Sequence, residues 1–252
     1  GQIDVSYGSH QTNRQYIRLD TGNIANTGIY GFVSFSNLTS RNFRGPGRND
    51  RHHIDFKFKK DWGLNSVALA GSYNNEETAW YSTPTLQQWR NQGVNYNLDG
   101  NYTFGDPNWY KSWTTGYTDL FLSSPDRFAL TKRLTLKVTP YFFHGSGPAG
   151  YGTTTLPADG PFYSGVQQKT APLAGASYVQ DGQVAAGQLW LGTESFTGIN
   201  SSLHLDLGHH RLTAGWWYGY TDVQVVEPFA ALDQNGNAAS FMGRHSLKLT
   251  SS

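Results

Sequence analysis

Apolar and polar residues alternate with a period of two along most of this chain, and helical spacing is hard to find. Ile54, Phe56 and Phe58 fall on one side of a segment whose other side carries Asp55, Lys57 and Lys59. A helix would scatter both sets around its circumference, so the pattern predicts a strand. Val67, Leu69, Gly71 and Tyr73 alternate with Ser66, Ala68, Ala70 and Ser72 directly after Asp61-Trp62-Gly63-Leu64-Asn65, which completes a hairpin. A second pair sets Leu203, Leu205 and Leu207 against His204 and Asp206, turns at Gly208 to Arg211, and resumes with Leu212, Ala214, Trp216, Tyr218 and Tyr220. Its odd-numbered face extends back through Ile199 to Leu191 and Leu189. That exceeds the roughly 9 to 11 residues that cross a bilayer, so the strand is expected to project beyond one. A third pair has Leu120, Leu122, Phe128 and Leu130 on one face, a turn at Thr131-Lys132-Arg133, then Leu134, Leu136 and Val138 with Thr135, Lys137 and Thr139 opposite.

Fainter strands at Gln2 to Gly8, Arg14 to Thr21, Ile29 to Asn37 and Phe241 to Thr250 bring the total to about ten. Short links (Gly22 to Gly28, Asp61 to Asn65, Thr131 to Arg133, Gly208 to Arg211) alternate with long ones (Leu38 to Asn49, Asn74 to Trp113, Gly145 to Ala186, Thr221 to Ser240), and only the first link, Ser9 to Asn13, is short where a long one would stand. Outer-membrane barrels have this alternation of short periplasmic turns and long extracellular loops. The expected fold is therefore an all-β, antiparallel transmembrane β-barrel of about ten strands forming a single domain over residues 1–252. The apolar parities would face lipid and Asp55, Lys57, Lys59, His204 and Asp206 the lumen. A soluble sandwich or propeller is the competing fold, but its hairpins need not alternate short and long links.

Composition narrows the choice. Lys plus Arg number 19 against 18 Asp plus Glu, a near-neutral balance that argues against nucleic acid as a partner. Cysteine is absent, which suits passage through an oxidising periplasm and suits much else. No apolar run is long enough for a membrane-spanning helix. Trp62, Tyr73, Trp216, Tyr218 and Tyr220 fall where interfacial aromatic girdles would lie. The N-terminus, Gly1-Gln2-Ile3-Asp4, has no basic or apolar signal region, so the bacterial outer membrane is inferred from the strands.

Catalytic chemistry finds little support: there is no nucleophilic triad, P-loop or dinucleotide fingerprint, and neither cofactor nor metal is expected. Adjacent histidines, as in His52-His53 and His209-His210, point to opposite faces of a strand and do not chelate one ion together. Glu194, His204 and Asp206 read as lining of a hydrated lumen. The second long link carries Arg41, Arg44, Arg48 and Arg51 with Asp50 as the nearby acid. Four guanidinium groups there would hold an anionic ligand or lipopolysaccharide phosphates, or form a solvated cluster. Trp80, Tyr81, Trp89, Tyr96, Tyr110, Tyr151 and Tyr163 lie among Gly, Asn and Pro in the long links, a composition suited to a binding surface for sugars, catecholate-like chelators or peptides.

Several segments share their wording with one family. Val5-Ser6-Tyr7-Gly8-Ser9 followed by Arg14 and Leu19-Asp20-Thr21-Gly22, then Arg44-Gly45-Pro46-Gly47, Thr139-Pro140-Tyr141-Phe142-Phe143-His144-Gly145 and His209-His210-Arg211-Leu212-Thr213-Ala214-Gly215-Trp216-Trp217-Tyr218 occur in order along the chain. Together they resemble the barrel of TonB-dependent outer-membrane receptors. The resemblance implies non-enzymatic uptake of a scarce small-molecule ligand such as a ferric siderophore. It implies as partners outer-membrane lipid, lipopolysaccharide and, through a plug region, the TonB energy-transducing protein. Family barrels have about 22 strands, so these strands would be a first portion without the plug, and Gln2 to Gly8 would not pair with Phe241 to Thr250. The alternatives are a closed ten-stranded outer-membrane enzyme, for instance a protease, and a passive porin. Against the enzyme, Asp119, His144, Glu194 and His204 are scattered between faces and depths.

Overall fold

A computed structural model describes residues 1–160, 162–164, 167–169, 176–227 and 229–238, with backbone alone for 162–164 and 167–169. The strand expected at Phe241 to Thr250 lies outside the described residues. The strands are β1 (Gln2–Gly8), β2 (Thr12–Asp20), β3 (Ile29–Arg41), β4 (Arg48–Trp62), β5 (Asn65–Ala79), β6 (Thr114–Ser123), β7 (Asp126–Ala129), β8 (Leu134–Pro157), β9 (Phe162–Ser164), β10 (Gln167–Lys169), β11 (Gln183–Asp206), β12 (Arg211–Val226) and β13 (Phe229–Ala231), with a helix α1 (Leu86–Gln92) between β5 and β6. They form an antiparallel meander in the order β1-β2-β3-β4-β5-β6-β8-β11-β12; β7 lies between β5 and β8, β13 pairs β11, and β9-β10 is a separate hairpin.

The register sorts residues as the alternation predicts. Ile17 opposes Phe35, Phe35 opposes Ile54, Ile54 opposes Tyr73 and Tyr73 opposes Leu120. Farther along, Leu136 opposes Leu203, Ile199 opposes Tyr218 and Ser201 opposes Trp216. Facing residues share a side of the sheet, so these form one apolar face. On the other face Asp55 opposes Ser72, Lys57 opposes Ala70, Asn74 opposes Asp119 and Thr135 opposes His204. The apolar face is open: Ile3, Leu19, Leu69, Leu203, Leu212, Trp216 and Tyr218 are all exposed.

Two local devices keep the ladder intact. Gly63, with a φ of +55°, and Leu64 connect β4 to β5 as a two-residue link with glycine at the first central position. Between β6 and β7 the chain passes through Pro125, which has no N–H to give. The neighbouring side chains stand in: Ser124 Oγ donates to the Ala68 carbonyl at 2.7 Å, and the Ala68 N–H donates to Asp126 Oδ1 at 3.2 Å. Among the described residues, nine of the ten expected strands therefore become thirteen segments: proline splits one crossing, β13 resumes β12's place beside β11, and β9-β10 stands apart.

The ends of the sheet differ only in part as expected. Links of two to eight residues join β2 to β3, β4 to β5, β7 to β8 and β11 to β12 at one end; the other end carries the long β5–β6 and β8–β11 connections but also two short links, residues 9–11 and 42–47. All four long-loop boundaries need correction, the Thr221 to Ser240 link losing its first six residues to β12 and Phe229–Ala231 to β13. The Leu38 to Asn49 link shrinks to residues 42–47, because β3 and β4 pair as far as Arg41 opposite Arg48. β5 runs to Ala79, so the next loop starts at Trp80. Much of Gly145 to Ala186 is strand: β8 and β11 are 24 residues each and pair from Leu205–Leu134 to Gln183–Pro157. This projecting ladder holds two small cores, Val184, Ala186 and Ala231 in one, and Trp109, Ala185 and Leu232 in the other. Val184 to Ala186 alternate between them, so both sides of the projection are covered.

Candidate functional site

The polar face carries a continuous row. Successive partners across the strands are Asp4, Tyr16, Ser36, His53, Asn74, Asp119, Gly145 and Glu194. Arg51 Nε donates to Asn74 Oδ1 at 2.7 Å, and Asn74 Nδ2 donates to Asp119 Oδ2 at 3.1 Å. His53 Nε2 lies 3.0 Å from Asp55 Oδ1. Tyr117 donates to the Glu194 carboxylate across a notch at Gly145, where any Cβ would overlap the phenol oxygen. Asp119 and Glu194 therefore share a row, whereas His144 belongs to the apolar face and bonds Ser195 there, and His204 lies far down β11. No three of the sequence-designated acid and base groups meet.

The arginines do not converge. Arg44 sits in the β3–β4 turn with its guanidinium donating to the carbonyls of Ser82 (3.1 Å) and Val94 (3.3 Å), while Asn97 Nδ2 donates to the Arg44 carbonyl at 2.8 Å. Its cation also stands 5.6 Å from the rings of Phe43 and Tyr81. This side chain fastens the Trp80–Trp113 loop to the turn through its two terminal nitrogens, while its Nε is buried without a protein partner among the described residues. Arg48 pairs with Asp50 at 2.8 Å, and Arg51 reaches Glu76 at 3.7 Å as well as Asn74. Arg41 ends β3. Arg41, Arg48 and Arg51 are thus strand residues, with Arg51 on the polar face and the other two on the apolar side, and a single four-arginine anion site is not formed.

The aromatic residues divide similarly. Tyr81 stacks on Phe43 with centroids 4.7 Å apart and accepts the Phe43 N–H. Trp80 donates its indole N–H to Thr115, and Tyr110 packs edge-on against Trp109 at 4.9 Å. Trp89, on α1 behind a Thr85–Gln88 capping box, is exposed, and so is Tyr151, which belongs to β8 rather than to a loop. The Tyr163 side chain lies outside the described residues. Arg41, Arg48 and Tyr110 do meet, around a cleft of about 530 Å³ that Glu77, Lys111, Thr114 and Asn237 also line. Sequence reasoning missed Glu77, Lys111 and Asn237, because nothing local announces that the 233–238 turn folds back on Trp109, whose Nε1 donates to the Gly236 carbonyl at 2.7 Å. Asp233 braces that turn: its carboxylate accepts the Asn237 and Asn235 N–H groups, which hold it below the usual carboxylate range.

Comparison with known proteins gives a fold. No family model matches the chain, and no curated protein matches it. Among solved structures it is similar to the siderophore receptor PiuA from Acinetobacter baumannii, with a TM-score of 0.58 and 14% identity over 94% of this chain. The match spans 32% of the receptor chain, about a third of its length. At that identity the likeness speaks for a barrel-like β-sheet and for nothing finer.

Proposed function

We propose that this chain is part of the wall of a bacterial outer-membrane barrel that acts as a non-enzymatic receptor, importing a scarce ligand such as a ferric siderophore in a TonB-dependent manner. The observation that carries the reading is the bare apolar face. It runs from Ile3 through Leu19, Phe35, Leu69 and Leu203 to Trp216 with its side chains exposed, and no second sheet covers it among the described residues. Soluble proteins rarely leave so wide a patch open, whereas hydrocarbon would cover it. The polar face then borders a lumen, the short links lie in the periplasm, and the projecting β8–β11 ladder and the α1 loop face outward.

On this reading the row of Arg41, Arg48 and Lys111 at the long-loop rim meets lipopolysaccharide phosphates, and Trp89 and Tyr151 are the free aromatic faces for a ligand. TonB would act through a plug outside this segment. The likeness to a siderophore receptor, of which this chain spans about a third, favours a larger barrel over a closed ten-stranded enzyme or porin. The test uses the full-length protein. It should fractionate with the outer membrane, migrate in a heat-modifiable way, and lose ferric siderophore uptake when residues 80–109 are replaced by a short Gly-Ser link. Uptake unchanged by that replacement would remove the binding role from the loop, and a soluble, monodisperse protein in buffer would overturn the membrane reading.

A further inference from the structure

The short-link end of the polar face carries a charge imbalance that uptake does not explain. Arg127 of β7 stands directly opposite Lys137 of β8, and Arg211 of β12 opposes Asp206 of β11. With Lys132, Arg133 and His204 these bases line a cleft of about 380 Å³. Its carboxylate, Asp206, is partly occupied: Oδ1 accepts the Gly208 N–H at 2.9 Å and Oδ2 lies 3.8 Å from Arg211 Nε. Among the described residues no ion pair reaches Arg127, Lys132, Arg133 or Lys137. Like charges facing each other across a ladder repel, so an anion between them would relieve that repulsion.

We propose that this cleft is a docking site for an acidic polypeptide segment entering the polar face at its short-link end. Size argues for a segment over a single phosphate. The bases spread over four adjacent strands, about 14 Å, and over about 10 Å along the strand direction. An extended peptide places carboxylates on one side about every 7 Å and matches this spread, and the arginines among the bases offer planar forks that a carboxylate fills. The same face supplies the discrimination. Glu76, Asp119 and Glu194 stand farther along it towards the long-loop end, where an acidic segment would be repelled, so it is held at one end. Only the assignment of that end to the periplasm rests on the barrel reading.

The experiment titrates labelled hexaglutamate into the detergent-solubilised full-length protein and follows fluorescence anisotropy. Saturable binding that hexaserine and hexalysine lack is expected, and it should weaken with added salt. Arg127→Glu with Lys137→Glu should weaken it by about tenfold or more, Lys137→Gln by a few-fold, and Arg14→Glu, on the remote β2, by nothing. Circular dichroism and resistance to limited proteolysis report whether each variant folds, and Lys137→Gln keeps the idea testable if the double reversal does not. Absence of hexaglutamate binding by the folded protein, indifference of Lys137→Gln and the folded double variant, or full displacement by equimolar pyrophosphate would each overturn the docking site. Recovery of the protein outside the outer membrane would overturn the barrel reading and leave the binding result standing.

Discussion

Single side chains in this sheet act through the space and the bonds they leave to their neighbours. Gly71 is a case of space. It opposes Phe56 on the apolar face, and a Cβ there would overlap the Phe56 ring and stand 2.8 Å from Leu122. Gly71→Val is therefore expected to displace Phe56 and to destabilise the barrel by about 1 to 3 kcal/mol, read as a lower urea midpoint in lipid. Arg44 is a case of bonds. Arg44→Ala leaves the Ser82 and Val94 carbonyls without their guanidinium donor and should cost about 1 to 3 kcal/mol. Arg48→Ala removes an exposed ion pair and should cost about 1 kcal/mol or less. Amide exchange through residues 80–97 separates them: it should accelerate in the Arg44 variant alone, and equal acceleration in both would remove the fastening role of Arg44.

At the scale of elements, the broken crossing between β6 and β7 is the most informative. Both backbone groups of Ala68 are satisfied by side chains flanking Pro125, and in an apolar medium an unmet backbone group costs several kcal/mol. Ser124→Ala with Asp126→Ala should speed exchange at Ala68 and lower thermal stability, whereas either change alone should do less. If the double variant exchanges no faster at Ala68, the proline break is tolerated for another reason. The 233–238 turn gives a pH-dependent counterpart. Because its folded carboxylate titrates below the ordinary range, Asp233 contributes stability that is fully present above the unfolded pKa. That contribution is lost as pH falls through the lower folded value. Protection of the Asn235 and Asn237 amides should survive at pH 5 and fail only below an ordinary Asp pKa of about 3.9. Loss of protection at pH 5 would contradict the brace.

For the whole molecule, the claim at stake is that one face of the sheet meets lipid and the other water. The chain contains no native cysteine, so single-cysteine variants report accessibility without background. In the membrane-embedded full-length protein, cysteine at 55, 57 or 59 should react with a water-soluble maleimide, and cysteine at 54, 56 or 58 should not. A one-residue slip inverts all six outcomes. Uniform labelling would end the membrane reading, because a lipid-covered face has no water to carry the reagent.

Alternation by itself determined nine of the main strands, the two faces and the positions of the tight links, because the side-chain period of a strand is a local geometric fact that Ile54 to Lys59 or Leu203 to Asp206 display in a few residues. The length of the β8–β11 projection was half legible, in Leu189, Leu191 and Ile199. The rest depended on partners remote in sequence. Only the folded chain set Arg44 under the carbonyls of Ser82 and Val94, brought Lys111 and Asn237 to the cleft of Arg41 and Arg48, and placed Arg127 opposite Lys137. A cation in a sequence carries no sign of whether it will meet a carbonyl, a carboxylate or another cation; that is decided by which strands become neighbours and in what register, and register is a property of the whole sheet.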